Sequence, residues 1–277
     1  MAAQIALGLV LSALIGYLGY RRRSLSKSGV LGAILTGTII FGLGGWAWGV
    51  LLVAFFVSSS ALSHFKAPLK ERLTEKFSKG SQRDLGQALA NGGAGALIAI
   101  ANFVWPHPAW WAAFVGAMAT VNADTWATEL GVLSKTRPRL ITTGREVEVG
   151  ASGGITLMGT LAALAGAALI GLVAAFGFLV ESKSLFLSLL LSTTLAGLLG
   201  SLFDSWLGAT VQAIYFCEAC NKETERHPVH TCGQPTRLLR GWRWLDNDWV
   251  NFLSSVAGAV VAIGATAGIG LASMNGN

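Results

Sequence analysis

The chain has 277 residues, 53% of them hydrophobic and only 12% charged, against about 25% charged in ordinary soluble domains. With 35 glycines and a mean hydropathy of +0.57, this composition excludes a soluble globular protein and points to a multi-pass membrane protein. A net charge of +6 and a pI near 9.5 would suit nucleic acid, but the positions of the basic residues, given below, exclude that partner.

The first apolar run, 3–20, is followed by Arg21, Arg22 and Arg23. A secretory signal places its positive charge before the apolar run, so this segment reads as a first span with its N-terminus outside. Further apolar runs follow at 29–45, 46–63, 86–105, 109–131, 153–180, 185–216 and 249–272. Each is close to the length that crosses about 30 Å of hydrocarbon at 1.5 Å per residue. The pattern predicts an all-α, polytopic transmembrane helical bundle of about eight spans, with seven or nine still open. It forms a single transmembrane domain over 1–277, and a small cytosolic zinc-knuckle-like loop, 217–247, is inserted before the last span.

Lys and Arg are distributed unevenly. The loops 21–28, 64–84, 134–150 and 217–247 hold nineteen of the twenty, and only Lys183 lies in an alternate loop. With eight spans these four loops share one side, which the positive-inside rule assigns to the cytosol. The protein is therefore expected to be a multi-pass integral membrane protein with its active face cytosolic, or stromal-equivalent. The positive charge reports topology rather than nucleic-acid binding.

Two spans carry carboxylates, which cost at least about 2.5–3.5 kcal/mol deep in a bilayer and so should face a cavity, an ion or a partner. Asp124 lies about ten residues from the loop at Lys135, Glu129 is nearer the surface, and Asp204 lies some thirteen residues from Cys217. The alternative is an Asp that pairs with a cation or caps a broken helix. These spans contain no Lys or Arg, so a cation would have to reach in from a loop. On one ideal helix Asp124 and Glu129 sit about 140° apart, while Asn122, Thr125 and Glu129 share a face. Asp124-Thr125-Trp126 is echoed by Asp204-Ser205-Trp206, as in membrane proteins built from repeated hairpins.

The loop after Glu129 combines Lys135, Arg137, Arg139 and Arg145 with the Ser152-Gly153-Gly154 start of the next helix. Backbone N–H groups at a glycine-rich helix start, with cations nearby, suit phosphate oxygens. A solvated positive-inside loop would look the same. In the last loop, Cys217-x2-Cys220-x9-His230-x-Cys232 offers four ligands within sixteen residues, enough for a closed, structural tetrahedral zinc site. Three reduced thiols are the alternative. Asp246 and Asp248 precede the final span, where Asp is a preferred N-cap. One of them is expected to cap, which leaves Asp248 with Asn251 for a cation or phosphate site.

The segments ALANGG at 88–93, NADTWATELGVLSKTRPRLITTG at 122–144, SGGITLMGT at 152–160, GSLFDSWLGATVQ at 200–212 and GWRWLDNDWVN at 241–251 resemble the integral-membrane phytyl-phosphate kinase family of the tocopherol pathway and its uncharacterised membrane relatives. The resemblance covers most of the chain. It implies phosphoryl transfer from a nucleoside triphosphate, CTP by similarity to related lipid kinases, to an isoprenoid monophosphate such as phytyl phosphate. On that reading Asp124, Asp204 and Asp248 hold Mg²⁺, and Glu129 belongs to the same catalytic centre. Asn91, Lys135, Arg137, Arg139, Arg145, Ser152, Gly153, Gly154 and Asn251 contact phosphates. The competing readings are a transporter of a phosphorylated lipid or anion, which intramembrane carboxylates and repeats also fit, and a structural or assembly protein. Against the transporter, one face holds nearly all the polar groups and leaves little for a second gate.

Overall fold

The computed structural model describes residues 1–67, 70, 82–177 and 183–274. Most of the basic 64–84 loop and the Glu181–Ser182 connection lie outside the described residues. The described chain is dominated by eight long helices: α1 (Ala2–Arg21), α2 (Lys27–Ile39), α3 (Trp46–His64), α4 (Leu85–Val104), α5 (Pro108–Gly131), α6 (Leu157–Gly177), α7 (Lys183–Thr210) and α8 (Asn247–Met274). A π-helical turn, Ile40–Gly44, extends α2. The chain then reverses at Gly45, whose φ of +90° suits glycine alone. Helix starts are set by local chemistry. The Ser26 hydroxyl accepts from Gly29 N at 3.1 Å. Asp84 and Gln87 form a reciprocal capping box at α4.

Seven segments are long and apolar enough to cross a membrane. The eighth helix, α5, is less apolar for a reason visible in its packing. It is the central helix, flanked by α3, α4, α6, α7 and α8, and every residue from Ala112 to Ala123 is buried. Its neighbours are protein rather than lipid, so it tolerates Thr120, Asn122 and Asp124. Close crossing depends on glycine. A Cβ on Gly200 of α7 or on Gly258 of α8 would collide with the Thr120 hydroxyl, as expected where membrane helices pack through small residues. Trp48 stacks on Phe114 at 4.3 Å within this core. On the outer helices Val10, Leu31, Val57, Leu97, Leu161, Leu191 and Val260 are exposed, a surface suited to hydrocarbon.

Two helices are shorter than the apolar runs that predicted them. The 153–180 run starts its helix only at Leu157, because β2 (Gly154–Ile155) first pairs with β1 (Arg139–Leu140). The 185–216 run leaves the helix after Thr210, and β3 (Ile214–Cys217) becomes the middle strand of a small sheet with β4 (Lys222–Thr224) and β5 (Arg237–Arg240). The described parts of the four basic loops gather at one end of the bundle. Ser24 hydrogen-bonds His64 at 3.0 Å, Lys70 pairs with Glu129, and Ser152 donates to Glu225.

Candidate functional site

At that end the helices diverge around a cavity of about 370 Å³, within the range of small-molecule sites. The last two turns of α5 leave the packed core here and bring Asp124, Thr125, Thr128 and Glu129 to its wall. Helix α7 adds Ser201, Asp204, Ser205 and Gly208, while α4 adds Gln87 and Asn91. The first turns of α8 add Asn247 and Asn251. The Gly150–Gly154 turn forms another side. It lies against the end of α7 so closely that a Cβ on Gly153, at φ +81°, would stand 2.4 Å from Ala209 N.

The charges divide into two groups. In the first, Glu129 accepts from the Ser63 hydroxyl and from Lys70 Nζ, each at 2.5 Å. Arg83 donates to Ser60 at 3.1 Å and lies over the Phe55 ring. Burial pulls its guanidinium below the usual value, and the Glu129 charge partly offsets this. Lys70 and Arg83 both come from the 64–84 segment, so cations from between the spans do reach Glu129. In the second, Asp124 lies against Ser201, Asp204 against Ser254, and the two carboxylates feel each other's charge. Asp204 Oδ2 is fully buried and, among the described residues, has no hydrogen-bond partner. A buried anionic oxygen without a donor suits a hard cation, which takes carboxylate oxygens. The repeated Asp-Thr/Ser-Trp triplets thus place their two Asp residues in the same cavity from neighbouring helices.

Of the residues singled out in the sequence, Asn91, Asp124, Glu129, Ser152, Gly153, Gly154, Asp204 and Asn251 line this cavity together. Asp248 does not line it. It occupies the first turn of α8, which Asp246 caps by accepting from Trp249 N at 3.1 Å, and Asn247 and Asn251 turn inward instead. Lys135, Arg137, Arg139 and Arg145 also stand outside the lining, on an exposed hairpin where Arg139 pairs with Glu146 at 3.1 Å. The sequence reading missed three charged residues of the wall: Lys70, Arg83 and Glu225. All lie in the polar segments between the spans, whose composition does not mark which side chain turns inward.

Behind the cavity the four Cys/His ligands converge, with their ligating atoms all within 4.8 Å of one another. Cys217 Sγ is 3.6 Å from Cys232 Sγ, and His230 Nδ1 is 3.2 Å from Cys232 Sγ and 3.5 Å from Cys220 Sγ. A tetrahedron with 2.3 Å metal–sulfur bonds has S···S edges of about 3.8 Å, so the cluster has the dimensions of a four-coordinate zinc site. The hydrogen bond with His230 leads in pulling the Cys232 thiol down to about 6. The hydrogen bond with Cys232 leads in pushing Cys220 up to about 11.

A family model described as integral membrane protein DUF92 matches residues 10–259. Protein PGR of Arabidopsis thaliana is 38% identical over 91% of this chain and 92% of its own length. An uncharacterised membrane protein of Methanocaldococcus jannaschii is 30% identical over 88% of this chain and 86% of its own length. Protein VTE6, chloroplastic, of Arabidopsis thaliana is 26% identical over 86% of this chain and 64% of its own length. No solved structure matches significantly.

Proposed function

Because the chain belongs to the DUF92 family of integral membrane proteins, we propose that it is a Mg²⁺-dependent lipid-phosphate kinase, acting on an isoprenoid monophosphate with a nucleoside triphosphate as donor, CTP by preference. The observation that carries this reading is a single cavity lined by Asp124 and Asp204 together with Lys70 and Arg83, with one Asp204 oxygen buried and unpartnered among the described residues. Two further points support it: similarity to VTE6 and the motif resemblance to phytyl-phosphate kinases.

A magnesium ion supplies charge compensation across the phosphates in such reactions. Asp124 and Asp204 are the residues that would hold it. Arg83 and Lys70 offset the negative charge on the transferring and accepting phosphates, and Asn91 adds a neutral donor beside Arg83. An oxygen of the acceptor monophosphate attacks the γ-phosphorus. The bond from that phosphorus to the bridging oxygen breaks, and the nucleoside diphosphate leaves with the electron pair. The acceptor oxygen is already anionic, so no strong general base is needed.

A lipid acceptor has structural support of its own. A narrow apolar cavity between α1, α2, α3 and α4, lined by residues such as Ile15, Leu52, Phe55 and Phe56, shares Arg83 and Asn91 with the polar one. Its position suits a hydrocarbon tail whose phosphate meets Arg83. The test is label transfer from γ-labelled CTP or ATP to phytyl or geranylgeranyl phosphate in detergent, with and without Mg²⁺. Labelled diphosphate formed only with Mg²⁺ is expected, and none from any donor–acceptor pair would refute the reaction.

A further inference from the structure

The narrow apolar cavity has a charged mouth and an aromatic floor. Arg83 and Asn91 line both it and the polar cavity, so they mark the place where the two meet. There the Arg83 guanidinium donates to Ser60 at 3.1 Å and lies 5.8 Å from the centre of the Phe55 ring. The walls stand close together. A Cβ on Gly92 would be 3.1 Å from Thr36 Cβ, and one on Gly37 would collide with the Ser12 hydroxyl. The space between them, about 70 Å³, suits one slender chain. A cation at the mouth of an apolar slot selects an amphiphile with an anionic head and a thin tail.

The floor is Phe41, which lines the far end of the slot and is only 6% exposed. Its ring fits because residue 49 is glycine, since a Cβ there would collide with it. Phe41 belongs to the π-helical turn Ile40–Gly44, a local geometry frequent at functional positions. Its carbonyl accepts from Gly45 N at 3.0 Å and from Gln4 Nε2 at 3.4 Å, and Trp46 meets its ring edge-on at 5.0 Å. These contacts hold the ring over Gly49. Helix rise then sets the depth. Gly49 precedes Phe55 by six residues of α3, about 9 Å along the axis. An extended isoprene unit, with four carbons in its chain, spans about 5 Å. The guanidinium beside Phe55 and the ring on Gly49 therefore enclose about two such units.

We propose that this slot receives the first two isoprene units of the phosphorylated lipid, with the phosphate at Arg83 and Asn91, and that Phe41 lying on Gly49 ends it. The proposal rests on the lipid-phosphate acceptor read above, though not on the transfer reaction. Phe41 is thereby a specificity-determining residue. The two units next to the phosphate are recognised, and units beyond the second lie outside the slot and add little to binding.

The experiment is thermal unfolding of the purified full chain in detergent with isopentenyl, geranyl, farnesyl or geranylgeranyl monophosphate and no nucleotide. Bound ligand raises the melting temperature, and ligands are compared at equal mole fraction in the micelle so that general partitioning cancels. In the parent, geranyl monophosphate should bind about tenfold tighter than isopentenyl monophosphate, because a second unit is enclosed. Farnesyl and geranylgeranyl monophosphates should stay within about threefold of geranyl, since their further units lie outside. Geraniol and inorganic phosphate should each give a much smaller shift. Val53→Phe fills the slot between mouth and floor and should remove the gain from the second unit. Phe41→Ala lowers the floor and should make farnesyl monophosphate the tighter ligand by about threefold or more. Ligand-free melting reports folding, and Val53→Phe alone decides if Phe41→Ala does not fold. Leu97→Phe, on the exposed outer surface, should match the parent. Affinity that climbs steadily to geranylgeranyl monophosphate, or an unchanged length preference in Val53→Phe, overturns the slot. An equal shift from geraniol overturns the place of the phosphate at its mouth. The expected length preference in a protein that forms no diphosphate refutes the transfer reaction alone, and diphosphate formation without that preference refutes the slot alone.

Discussion

Replacing Asp204 by Asn leaves the shape of α7 intact and removes one negative charge from a site where Oδ2 is buried without a donor among the described residues and Asp124 is close enough to repel it. Leaving such a group unsatisfied costs about 1–3 kcal/mol. Without divalent cation, Asp204→Asn is therefore expected to be as stable as the parent, or more stable by about 1 kcal/mol or more, because the amide can donate toward Asp124. With Mg²⁺ the order reverses. A ligand present at a hundred times its dissociation constant stabilises the folded state by about 2.7 kcal/mol, a gain that only the parent receives. Turnover should fall about a hundredfold or more, equivalent to about 2.7 kcal/mol of lost transition-state stabilisation. The assay pairs thermal unfolding in detergent, with and without Mg²⁺, with label transfer to phytyl phosphate. Equal Mg²⁺-induced shifts in parent and variant, or full activity in the variant, would show that Asp204 does not hold the metal.

Three further outcomes follow from the same geometry. Arg83→Ala should raise the apparent KM for the phosphorylated lipid about tenfold, and Arg139→Ala much less, since only Arg83 lines the cavity; steady-state kinetics over acceptor concentration would show the reverse ranking if the exposed hairpin bound the phosphate. Purified protein should contain one zinc per chain by elemental analysis, and Cys220→Ser should lose it together with a measurable drop in melting temperature; metal-free protein of full stability would exclude a zinc site. After zinc removal a membrane-impermeant thiol reagent should label Cys217, Cys220 and Cys232 in inverted vesicles and not in sealed right-side-out cells, and the opposite pattern would reverse the orientation.

The amino-acid sequence by itself determined the class of molecule and a bundle of about eight long helices, because hydropathy and helix length answer to the thickness of a bilayer whatever the helices later touch. It also picked out the two intramembrane Asp residues, whose burial is costly wherever they fall, and the Cys/His quartet, whose ligands lie within sixteen residues and so meet through local turns. Tertiary structure decided the rest. Helix α5 is central only because other helices surround it, a fact its own composition shows merely as reduced hydropathy. Asp246 and Asp248 are equivalent candidates on paper, and the cap geometry selects Asp246 while the rotation of α8 turns Asn247 and Asn251 inward. Lys70, Arg83 and Glu225 reach the cavity from polar segments that are ordinary in composition, and the exposed hairpin of Arg137, Arg139 and Arg145, the most suggestive basic stretch in the chain, does not line it. Chain-local signals carry periodicity, length and ligand spacing, whereas the facing of a loop side chain depends on contacts between distant segments, such as Ser152 with Glu225, 73 residues apart, which exist only once the helices have packed.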